Sequence, residues 1–216
     1  MLDCLEHTPG EGAERSVIWL HGLGASGNDF APLVPHIDLP RTRFVFPHAP
    51  TRPVTVNNGY VMPAWYDIVT MERGPGREPE ADVREASEMV EALIAREHER
   101  GVPSDRIVLA GFSQGAAMTL HTGLRHPERL AGMMVLSGYL VLPDTLDAEA
   151  HEANRDTPMF FGHGSRDDVV PMAGGRTAFE RVGAERRAEW NAYPMGHELC
   201  AEELRDLTRW LHSVLA

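Results

Sequence analysis

The sequence predicts an α/β fold, a mostly parallel sheet covered by helices on both faces. Three observations predict it. Apolar runs of strand length alternate with helical stretches along most of the chain. Several of those runs, such as Val17-Ile18-Trp19-Leu20 and Ile107-Val108-Leu109-Ala110, are apolar without a break, as in strands buried on both faces. One of them, Ile107-Val108-Leu109-Ala110, passes through a glycine-flanked turn directly into the helical stretch Ala116-Ala117-Met118-Thr119-Leu120.

The elements follow in order. Residues 16–20 read as a short buried strand ending in a glycine-rich turn. Residues 28–36 suit a short helix limited by Pro32 and Pro35. Residues 43–46 read as a second strand. Residues 82–100 form an amphipathic helix: Val83, Ala86, Val90, Leu93 and Ile94 share one face, and Gly101 and Pro103 stop it. A strand at 106–110, a helix at 114–126 and a strand at 131–137 come next. A strand at 158–162, a helix at 175–182 and a strand at 187–193 follow. Cys200, Leu204, Leu207, Leu211 and Val214 make the apolar stripe of a closing helix, which gives Cys200 a core role. Three stretches break this rhythm. Residues 47–63 hold four prolines and Asn57-Asn58-Gly59, too many breakers for a helix, and read as a functional loop leading into Trp65-Tyr66. Residues 73–80 read as an exposed loop, and 141–157 are acidic and receive no role.

Composition bounds the function. A chain of 216 residues fits a single domain over 1–216. Its 20 Lys and Arg stand against 32 Asp and Glu, a net charge of −12 with no basic tract. Nucleic acid and anionic membrane surfaces are therefore disfavoured partners. No apolar run approaches the roughly 18 residues that a membrane span needs. The start, Met1-Leu2-Asp3-Cys4, lacks the basic-then-apolar pattern of a secretion signal. Cys4 and Cys200 make neither a disulfide framework nor a zinc knuckle, and they suit a reducing compartment. A cytoplasmic location is the expectation.

The chemistry centres on Gly111-Phe112-Ser113-Gln114-Gly115. A G-x-S-x-G between a strand and a helix is the setting of a nucleophile elbow, which exposes the serine oxygen above the sheet at a helix start. A serine hydroxyl needs a base, and in this arrangement the acid and then the histidine follow the serine in the chain. His197, in Tyr193-Pro194-Met195-Gly196-His197, stands between the last strand and the closing helix and fits the base. The acid that would orient it should follow the strand Pro158-Met159-Phe160-Phe161-Gly162, where Asp167 and Asp168 are adjacent and either suits. An oxyanion hole needs two N–H donors. One is the amide after the nucleophile, Gln114, and the other should come from the loop His21-Gly22-Leu23-Gly24, with His21 as its brace.

These residues resemble the carboxylesterase, phospholipase and acyl-protein thioesterase family of α/β-hydrolases, and within it the bacterial carboxylesterases most. The likeness runs over 17–211. It is carried by Val17-Ile18-Trp19-Leu20-His21-Gly22-Leu23-Gly24, Pro47-His48-Ala49-Pro50-Thr51-Arg52-Pro53-Val54-Thr55, the elbow, and Tyr193-Pro194-Met195-Gly196-His197-Glu198. Asn58-Gly59-Tyr60, Met62-Pro63-Ala64-Trp65-Tyr66-Asp67-Ile68 and His163-Gly164 with Asp167 and Val169-Val170 add to it. The resemblance implies the α/β-hydrolase fold without a large lid, and a serine hydrolase with no cofactor. It places nucleophile, acid and base on Ser113, Asp167 and His197, and the oxyanion amides on Leu23 and Gln114. It implies a small-molecule ester or acyl substrate, with short carboxylic esters, protein thioesters and lysophospholipids as the range, and it allows a homodimer. Ala116, where a third glycine is usual, and Asp168, where proline is common, depart from the pattern.

Other readings stay open at this level. Trp65 and Tyr66 suit either the wall of an acyl pocket or the base of a packed hairpin. Metal catalysis is disfavoured, because His21, His48, His163 and His197 show no ligand spacing such as H-E-x-x-H. A hydrolase fold serving only as a binding module is the alternative from another class. A peptidase would need an anchor for the chain, and none is legible.

Overall fold

The computed structural model of the chain describes residues 2–10, 12–70, 72, 77–183 and 187–215. Seven strands make one sheet: β1 (Cys4–His7), β2 (Arg15–Leu20), β3 (Thr42–Pro47), β6 (Ile107–Phe112), β7 (Gly132–Leu136), β8 (Met159–Gly164) and β9 (Ala188–Tyr193). Their spatial order is β1-β3-β2-β6-β7-β8-β9. Only the edge pair β1 and β3 runs antiparallel. The strand ends that feed the site are in register: Leu20 pairs with Gly111, Phe112 with Leu136 and Gly164 with Tyr193. The carboxyl ends of the parallel strands thus share one edge, where open α/β sheets place their sites.

Alternation along the strands builds two cores. Ile18, Leu20, Val45, Leu109, Val135 and Phe161 face α2 (Glu80–Glu99), α3 (Gln114–Arg125) and α5 (Met172–Gly183). Val17, Trp19, Phe44, Val108, Met134 and Phe160 face the other way, against α6 (Ala201–Leu215) and the segment holding Phe30, Val34 and Ile37. Burial on both faces explains why these strands read as unbroken apolar runs.

The differences from expectation have local causes. Residues 28–36 do not make one helix. They divide into 3-10 turns Gly27–Asp29 and Ala31–Leu33 and the single turn α1 (Val34–Ile37), because Pro32 and Pro35 each remove a backbone donor. The proline-rich 47–63 contains a hairpin, β4 (Thr51–Val54) against β5 (Tyr60–Pro63). Its turn uses Asn58 and Gly59 in the left-handed region, and in a two-stranded ribbon every strand is an edge that tolerates proline. Strand β1 has no counterpart in the sequence reading. Within 141–157, α4 (Leu146–Glu149) is pinned when Glu149 accepts from Arg84 of α2 and Arg125 of α3. Residues 73–76 of the expected exposed loop lie outside the described residues. No helix among the described residues is long and apolar enough to cross a membrane.

Candidate active site

Ser113 sits between β6 and α3 at φ 56°, ψ −119°, a conformation rare for a residue with a side chain. Two glycines make the turn possible. A Cβ on Gly111 would lie 2.3 Å from the Gly115 carbonyl, and one on Gly115 would lie 2.3 Å from the Leu20 carbonyl oxygen. The backbone is held from the next strand, where Leu136 O accepts from Ser113 N at 2.9 Å. Ala116 fits because the facing residue is Gly138, where a Cβ would stand 2.6 Å from the Ala116 methyl.

His197 reaches Ser113 from the loop after β9. Its Nε2 is 2.9 Å from Ser113 Oγ and its Nδ1 is 2.7 Å from Asp167 Oδ2. The Phe112 ring packs against the imidazole at a centroid distance of 4.6 Å. The Asp167 side chain is fully buried, and its other oxygen accepts from Val169 N at 3.0 Å and Val170 N at 2.8 Å. Two loops are thereby locked together, since Ser165 N donates to Tyr193 O and Arg166 N to Met195 O. Asp168, one residue on, is exposed. The geometry therefore separates two carboxylates that residue chemistry left equivalent.

The two amides expected for an oxyanion belong to segments that adjoin the serine. Gln114 opens α3, where first-turn amides have no helical acceptor. Leu23 follows Gly22, where a Cβ would sit 3.2 Å from Ser113 Cβ. Among the described residues, neither Leu23 N nor Gln114 N donates to a backbone carbonyl. His21 braces the loop: its Nε2 accepts from Ala49 N at 3.0 Å, so Nδ1 carries the proton and donates to Gly22 O at 2.7 Å. Burial pushes its pKa below the usual histidine value, which keeps this neutral form.

Trp65 and Tyr66 are placed differently from a pocket wall. Both are 0% exposed and lie under the site rather than on its surface. The Trp65 indole N–H donates to His21 O at 2.8 Å, and Tyr66 Oη shares a 2.7 Å hydrogen bond with Tyr139 Oη. The Gln114 side chain bridges them, accepting from Trp65 N and donating to Tyr66 O, each at 2.8 Å. Sequence reasoning missed this clamp. An elbow amide needs no particular side chain, so the signal was the choice of a long, two-ended polar residue at that position.

Comparison with known proteins agrees with the geometry. A family model described as phospholipase/carboxylesterase matches residues 7–215. The chain is similar to acyl-protein thioesterase 1 of Yarrowia lipolytica, 36% identical over 204 residues that cover 91% of this chain and 90% of that protein. Among solved structures it resembles Arabidopsis thaliana SOBER1, with a TM-score of 0.86 at 32% identity over 94% of this chain and 100% of that one. It also resembles Zea mays acyl-protein thioesterase 2, with a TM-score of 0.85 at 26% identity over 100% of both. The Yarrowia lipolytica relative is not bacterial, so the likeness is not confined to bacterial carboxylesterases.

Proposed function

The chain belongs to the phospholipase/carboxylesterase family, and on that premise we propose that it hydrolyses carboxylic esters of short to medium acyl chains through an acyl-enzyme on Ser113. The observation that carries this reading is the unbroken hydrogen-bonded line from Ser113 through His197 to Asp167. In the first step Ser113 Oγ bonds to the acyl carbon, the carbonyl π pair moves onto oxygen, and the serine proton passes to His197 Nε2. Asp167 holds the proton on Nδ1 and stabilises the imidazolium. The new oxyanion takes hydrogen bonds from the Leu23 and Gln114 amides, aided by the N-terminus of α3. The tetrahedral species collapses, the bond to the leaving group breaks, and His197 returns the proton to the departing alcohol. Water repeats the sequence on the acyl-enzyme and frees the acid.

A second reading changes only the leaving group, from an alcohol to the thiol of an acylated cysteine. The relatives named acyl-protein thioesterases favour it. A cavity of about 1130 Å³ near Tyr139 and Pro171 has both apolar (Leu140, Leu142) and charged (Arg77, Arg181) lining, but none of Ser113, Asp167 and His197 lines it, so it favours neither reading. The test is kcat/KM over p-nitrophenyl esters, protein thioesters and lysophospholipids of graded chain length. Leading turnover of short to medium esters supports the first reading, and leading thioester turnover the second. No turnover across the panel contradicts both and favours a binding module.

A further inference from the structure

We propose that Trp65 is a positioning residue that sets the spacing between the two oxyanion amides; this rests on the acyl-enzyme reading above. The donors come from separate parts of the chain, Leu23 after β2 and Gln114 at the start of α3. Trp65 is bonded to both parts. Its backbone N–H donates to Gln114 Oε1 and its indole N–H to His21 O, each at 2.8 Å. The opposite end of the Gln114 amide is fixed on Tyr66 O, so that side chain has no free rotation. Beyond His21, the imidazole ties Gly22 O to Ala49 N, which fixes the peptide leading to Leu23. The indole is fully buried, with its ring 5.4 Å from that of His21. A shift of the indole therefore moves the Leu23 side of the hole relative to the Gln114 side.

Such a residue touches no substrate, and its effect falls on the transition state. An oxyanion donor acts only when its hydrogen lies where the negative oxygen will form, and loss of one donor costs on the order of 10²–10³ in kcat. Displacement should cost less than deletion. Trp65→Phe keeps the backbone bond and most of the packing, but leaves His21 O without its indole partner. It should lower kcat by about tenfold or more while KM stays within about threefold.

The experiment measures kcat, KM and the inhibition constant of an alkyl trifluoromethyl ketone for the parent and Trp65→Phe. Ser113 Oγ adds to the ketone carbon, the π pair moves onto oxygen and the serine proton passes to His197 Nε2, so the adduct presents an oxyanion to the hole. Positioning predicts that ketone affinity falls in proportion to kcat/KM. Trp210→Phe, in the core on the other face of the sheet, serves as the control for general loss of packing and should leave that affinity unchanged. Where Trp65→Phe does not fold, benzothienylalanine at position 65 keeps the bicyclic ring and removes only the N–H. Unchanged ketone affinity in the Trp65 variants, or an equal fall in Trp210→Phe, overturns the proposal alone. Failure of a fluorophosphonate to label Ser113 in the parent overturns the acyl-enzyme reading and the proposal with it.

Discussion

Asp167 and Asp168 carry the same chemistry one residue apart, and direction separates them. Asp167 accepts two backbone amides on one oxygen and faces His197 with the other, while Asp168 is exposed. An asparagine at 167 can turn its NH₂ toward the imidazole and favour the wrong tautomer. Asp167→Asn should therefore lower kcat by roughly 10⁴ in a folded protein. Asp168→Asn should stay within about tenfold, since an exposed charge tunes only the local field. Parallel steady-state kinetics with circular dichroism checks both, and the reverse ranking contradicts the assignment. Residue types alone could not make this distinction, because it depends on how the backbone turns after β8. The same limit applies to Trp65 and Tyr66: an aromatic pair beside a site is legible in sequence, but its burial is not.

The elements were legible where one physical signal dominated. Strands buried on both faces announce themselves as apolar runs, and the stripe of α2 fixes its inward face. A hairpin base was one of two readings open for Trp65 and Tyr66, but the strands β4 and β5 themselves were not legible, because prolines that forbid a helix also disguise an edge strand. Nor was β1, whose four residues include no long apolar run. Helix α6 holds a feature that periodicity does not show. Glu203 is fully buried, neither carboxyl oxygen has a hydrogen-bond partner among the described residues, and a Cβ on Gly162 would meet Oε1 at 2.1 Å. Burial first, and then the nearby Asp206 charge, push its pKa up to about 8 from an ordinary 4.5. The folded chain therefore holds a proton that the unfolded chain releases between those values, and stability falls as pH rises from 4.5 to about 8. Glu203→Gln keeps the shape and removes the titration. Thermal unfolding should place the variant near the parent at pH 5 and several degrees above it at pH 8.5. Parallel pH profiles for the two proteins contradict this account of Glu203.

At the scale of the whole molecule, the sheet gathers groups that lie far apart in the chain. The carboxyl ends of β2, β6, β8 and β9 deliver Leu23, Ser113, Asp167 and His197 to one edge. That Ser113 and His197 meet was legible because a local turn motif and a chain order together leave few alternatives. The acyl preference was not legible, because it depends on how loops pack around Ser113, and no local sequence pattern encodes that packing. The central claim is that the acyl group passes through Ser113 Oγ. The most direct measurement is mass spectrometry of the protein quenched during turnover of a slowly deacylating ester, followed by peptide mapping. The account predicts one acyl adduct on the peptide holding Ser113, absent in Ser113→Ala, with turnover in that variant lower by on the order of 10⁶. An adduct on another residue, or Ser113→Ala turning over at the parent rate, would contradict it.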